Sequence, residues 1–145
     1  MNKLFSTKDD WTGLILRLSL GIVFFPHGAQ KLFGWFGGDG FNGTMNYFTE
    51  IVGLPWIIAF LVIILESIGA LALIVGVATR FMALSYIVLV LGMIFTTHIE
   101  NGFFMNWYGS QPGEGVEYHL LVIGMAITLI YNGSGKYAVD RLLVR

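Results

Sequence analysis

His27, His98 and His119 are the only histidines of this chain, and each lies at the end of a long apolar run. Imidazole exchanges a proton near neutral pH, and more readily with a charged neighbour within reach. Such neighbours are at hand. Lys31 follows His27 by four residues, one turn along the same helix face; Glu100 follows His98; Glu117 precedes His119. His27, His119, Glu117 and Lys31 are therefore the candidate catalytic groups, with His98 and Glu100 as candidate ligand contacts. A second set lies deeper. Glu66 falls near the middle of an apolar run, where an unpaired carboxylate costs at least about 2.5 to 3.5 kcal/mol. Arg17 lies about 9 Å from the inner edge of its own run and Glu66 about 16 Å, at about 1.5 Å per residue, a gap the long arginine stem spans. An interhelical Arg17–Glu66 pair that fixes helix register is the expectation. No metal site is expected: no helix carries the His/His or Glu/His spacing that would supply two ligands from one face.

The elements that must position these groups are hydrophobic. The 145-residue chain is 56% hydrophobic and 12% charged, with a mean hydropathy of +0.75. That is about half the charge of a soluble domain, and it makes lipid the expected solvent. Continuous apolar runs predict four transmembrane helices over about 11–33, 55–77, 81–98 and 116–132, each near the roughly 17 to 25 residues that cross the hydrocarbon. Continuity rather than alternation disfavours β spans. The expected architecture is thus an all-α membrane protein, a single domain over 1–145 and a four-helix bundle. The three-residue turn 78–80 makes the second and third spans an antiparallel hairpin. Between the first two spans, Phe41, Met45, Phe48 and Ile51 or Val52 recur at helical spacing before Gly53 and Pro55, predicting a short amphipathic helix at the outer interface.

Orientation follows from the basic residues. Lys3, Lys8, Arg80, Lys136, Arg141 and Arg145 gather at one side, which predicts that both termini are cytoplasmic. The opposite side then holds all three histidines with Asp39, Glu50, Glu100, Glu114 and Glu117. The leader carries Asp9 and Asp10 and no small-residue cleavage pattern, which argues against a cleaved signal. A net charge of −1 gives no footing for nucleic acid, and without cysteine there is no disulfide or thiolate chemistry. Small residues (Gly69 and Gly76; Ser85, Gly92 and Thr96; Gly124 and Thr128) read as packing faces of the second, third and fourth spans.

Arg17, Gly21, His27, Gly28 and Lys31-Leu32, then Glu66, Gly69, Gly76 and Arg80, form a pattern that resembles the DoxX family of small four-helix bacterial membrane proteins. The Gly40-Phe41 to Gly53-Leu54-Pro55 segment, the Glu117-Tyr118-His119-Leu120 opening of the last span and the Gly133–Gly135, Asp140-Arg141 tail extend the resemblance over nearly the whole chain. It implies a bacterial inner-membrane accessory of quinone-linked redox chemistry, since the family is named for a subunit associated with thiosulfate:quinone oxidoreductase and other relatives are linked to oxidative-stress complexes. Two functions from different classes follow. In one, a quinone or similar lipid-soluble cofactor binds between spans one, two and four, with His27 or His119 protonating its oxygen and Lys31 and Glu117 tuning the imidazole. In the other, the same polar groups are fasteners in a non-catalytic subunit that assembles or stabilises a larger membrane complex. A small transporter is disfavoured, because no inverted repeat or broken mid-membrane helix is evident.

Overall fold

The computed structural model describes residues 7–143, and every regular element among them is helical. Lys3 and Arg145, which enter the orientation expectation, lie outside the described residues. Helix α1 spans Trp11–Phe33. A short helix α2, Gly40–Asn46, continues into a wider π turn at Tyr47–Ile51. Two long rods follow, α3 over Trp56–Val75 and α4 over Thr79–Asn101, and α5 covers Glu117–Asn132. Helices α1, α3 and α4 are long and apolar enough to cross a membrane, at 23, 20 and 23 residues. The 16 residues of α5 give about 24 Å, less than the hydrocarbon thickness.

Local chemistry sets the boundaries. The Asp10 carboxylate accepts from the Gly13 N–H and starts α1. Gly34, at φ 73°, takes the left-handed conformation that ends it, and its N–H satisfies the carbonyls of Ala29 and Gln30. Pro55 opens α3, and Gly76 at φ 74° closes it.

Packing is asymmetric. Helix α1 lies along α3 on one side and α5 on the other, α4 lies along α5, and α3 meets α4 mainly beside their connecting turn. The main core collects Leu20, Phe24, Leu73, Tyr86, Val122 and Leu129, with the Phe24 and Tyr86 rings 4.5 Å apart. A satellite core of Met45, Ala59 and Ile63, with Phe41 and Phe48 against it, seats α2 on α3. The closest approaches use glycines of α1. A Cβ on Gly21 would stand 2.6 Å from Ile74 Cγ1, and one on Gly28 would fall inside the Glu66 peptide. By contrast, nothing lies within 4 Å of where a Cβ would stand on Gly92 or Gly124, so these two do not mark helix contacts.

Candidate functional site

The bundle has two ends of different character. The terminal end carries the start of α1, the end of α3, the start of α4 and the end of α5. At the opposite end lie α2, the long loop after α4 and the histidines.

Arg17 and Glu66 do not pair, contrary to the sequence expectation. Arg17 is 1% exposed and turns toward the terminal end. Its Nε donates to Ser134 O at 3.0 Å, Nη1 to Leu73 O at 3.2 Å and to Ile74 O, and Nη2 to Lys136 O and Tyr137 O, both at 2.9 Å. Leu73 and Ile74 supply last-turn carbonyls of α3, at the negative end of its dipole, and Leu73 O also accepts from Gly76 N at 3.1 Å. A planar guanidinium with five N–H groups matches several carbonyls at once, and these acceptors lie closer than any carboxylate. Asp140 does the complementary work. Its carboxylate accepts from Ala78 N at 2.6 Å and Thr79 N at 2.9 Å, capping α4, and Arg80 donates to Ile130 O and Tyr131 O at the end of α5.

Glu66 pairs instead with Lys31, Nζ to Oε2 at 2.6 Å. Gly28 makes this possible: with no side chain there, α1 lies against the Glu66 peptide, and Lys31, one turn farther on, reaches down to the carboxylate. Glu66 is 0% exposed and sits within a π turn, Leu65–Gly69, in which Ser67 and Gly69 are buried beside it. Tyr86 and Tyr118 lie within electrostatic reach of it. Tyr86 donates its hydroxyl to Leu65 O at 2.8 Å. Glu66 Oε1 and the Tyr118 hydroxyl are both buried without a hydrogen-bond partner among the described residues.

Two of the three histidines converge. The His98 and His119 rings are 4.3 Å apart between centroids; His119 is buried, and His98 Nδ1 contacts Glu114 O at 2.8 Å. His27 is exposed on α1 and takes no part in that pair. Glu117 is occupied by the loop after α4, accepting from Met105 N at 3.0 Å and Trp107 Nε1 at 3.1 Å. Glu100 is exposed. Among the described residues, no three His, Asp or Glu side chains gather as a metal site would need.

The splay of α3 from α4 opens an apolar groove of about 840 Å³. The sequence predicts a ligand between spans one, two and four; this cleft lies between two and three. Its floor includes Gly69, Ser85 and Gly92, and its polar end carries Lys31 and His98. A smaller polar chamber of about 290 Å³ adjoins it, sharing Lys31, Tyr47 and Phe48 and adding Gln30, Asp39 and Thr44. The sequence alone gives Gln30, Asp39, Tyr86 and Tyr118 no role in a site. Tyr118 carried the one available signal, a phenol one residue from a histidine within an apolar run.

An all-helical bundle with spanning-length apolar rods and polar groups sorted to its two ends defines an integral membrane protein. The DoxX pattern matches residues 12–99, and the chain belongs to the DoxX family. It is 31% identical over 140 residues to a Bacillus subtilis protein named "Putative oxidoreductase CatD", covering 97% of this chain and 90% of that one. It is 32% identical over 140 residues to the Escherichia coli "Inner membrane protein YqjF" (93% and 94% covered) and 24% identical over 136 residues to "Inner membrane protein YphA" of the same organism (88% and 87%). No solved structure matches.

Proposed function

We propose that this protein is a four-span bundle of the bacterial inner membrane that holds a quinone or comparable lipid-soluble ligand in the α3/α4 groove, as an accessory of quinone-linked redox chemistry. The observation that carries the reading is the groove itself, apolar along its length and polar at one end, where Lys31 and His98 can hydrogen-bond a ring oxygen. His119 backs His98 and offers a second imidazole for proton exchange. The name of the B. subtilis relative agrees with a redox setting. Electrons come from a partner redox subunit, and this chain supplies the binding surface and the proton-exchanging groups. In this reading α5 is the fourth span, α2 lies in the outer interface beside Trp35 and Trp56, and Lys8, Arg80, Lys136 and Arg141 hold the terminal end in the cytoplasm.

Gly92 gives a clean test. Its open surroundings let a leucine point into the groove without disturbing the bundle, and Gly124, equally open but outside the groove lining, is the matched control. Wild-type protein and Gly124→Leu, purified in mild detergent, retain extractable quinone by mass spectrometry, whereas Gly92→Leu loses most of it. Absence of quinone and comparable lipids from the wild type, or equal retention by Gly92→Leu, overturns the proposal.

A second reading rests on the small residues of the same groove. Gly69, Ser85 and Gly92 leave room for a helix of another subunit to approach closely, as in an assembly or stabilising role. In that case Gly92→Leu releases a co-purifying membrane protein rather than a lipid.

A further inference from the structure

Lys31 stands where the apolar groove and the polar chamber meet, and among the described residues it is the only lysine or arginine lining either. Its charge is already matched. The ammonium lies 2.6 Å from Glu66 Oε2, and Glu66 is fully buried. Asp39 adds an exposed carboxylate on the chamber side. We infer that the chamber and the groove form one head-and-tail site, which accepts an amphiphile with an uncharged, hydrogen-bonding head and excludes anionic amphiphiles such as fatty acids. This inference rests on the groove reading above and names the head chemistry that the site selects.

The selection is electrostatic. An anionic head entering the chamber sheds hydration and meets the Asp39 carboxylate. Because the Lys31–Glu66 pair is neutral as a whole, an anion gains the full attraction of Lys31 only by drawing the ammonium away from Glu66, which leaves a buried carboxylate uncompensated, and otherwise finds a single N–H donor without net charge. An uncharged head needs no such exchange. The ammonium has three N–H groups, of which one serves Glu66 and another reaches His27 O at 3.5 Å, leaving a donor for a ligand oxygen. Gln30 and Thr44 add neutral partners, and the groove takes the tail.

Three probes test this on the full chain in neutral detergent: a short-chain ubiquinone analogue, methyl myristate and myristate, the last two sharing one acyl chain and differing by a methyl group that removes the charge of the head. Retention of each is counted by native mass spectrometry. The expected result is binding of the quinone analogue and the ester, with myristate at least about tenfold weaker. Glu66→Gln frees the Lys31 charge and raises myristate binding about tenfold, and Asp39→Asn, at an exposed position that leaves the fold alone, raises it by a smaller factor. Equal binding of myristate and its ester by wild type, or no gain in Asp39→Asn, overturns the head selection while the groove reading stands. Failure of all three probes to bind overturns the groove reading itself.

Discussion

Arg17 on the first helix donates from Nε to the carbonyl of Ser134 at 3.0 Å, a bond that crosses 117 positions of sequence. Around it the same guanidinium holds the end of α3 and the segment after α5 together. Arg17→Lys keeps the charge but replaces a five-donor fork with three donors on a point charge. The expected loss is about 3 kcal/mol or more, because buried carbonyls are left unpaired. Reversible unfolding in mixed micelles measures it, and a change below about 0.5 kcal/mol would remove Arg17 from this role.

Gly28 sets the distance between α1 and the Glu66 turn. Gly28→Ala forces the backbones apart and costs about 1 to 3 kcal/mol, whereas Gly124→Ala, with open space around it, is neutral or slightly stabilising. Comparing the two melting curves checks this, and equal stability of both variants would contradict the close contact.

Glu117 fastens the loop after α4 through Met105 N and Trp107 Nε1. Glu117→Ala therefore speeds amide exchange at Met105 and its neighbours by about tenfold, as expected for loss of about 1.4 kcal/mol of local protection, and leaves α1 unchanged. Hydrogen exchange read by mass spectrometry resolves the two regions.

Asp9 accepts a hydrogen bond from Arg141, which holds its carboxyl below the ordinary 3.8. A depressed carboxyl contributes stability that is present above the unfolded value and is lost as pH falls through the folded one. No effect is therefore expected between pH 5 and 8. Arg141→Gln returns the Asp9 titration upward toward its ordinary value, which NMR of the Asp9 carboxyl follows.

The spans could be read from the sequence because a helix in lipid must be apolar for most of its length. Expected spans of 11–33 and 55–77 meet helices at Trp11–Phe33 and Trp56–Val75. The short helix between them was equally visible, from the spacing of Phe41, Met45 and Phe48. Partner choice was not. Matching charges by depth paired Arg17 with Glu66, since side chains appear in a sequence and free carbonyls at helix ends do not. Sequence spacing puts Lys31 with the histidines, because nothing in the sequence shows that Gly28 brings α1 onto the Glu66 peptide. Convergence of His98 with His119, and not with His27, depends on α4 lying along α5, a neighbour relation that apolar runs alone leave open.

The carbonyls that satisfy Arg17 come partly from Ser134, Lys136 and Tyr137, which are synthesised only after α5. The first helix therefore enters the bilayer carrying a cation whose permanent acceptors have not yet been made. The set is complete only once residues 134–137 exist and close onto the helix synthesised first. A chain stopped after Asn132 would still contain every helix from α1 to α5 and would lack the latch.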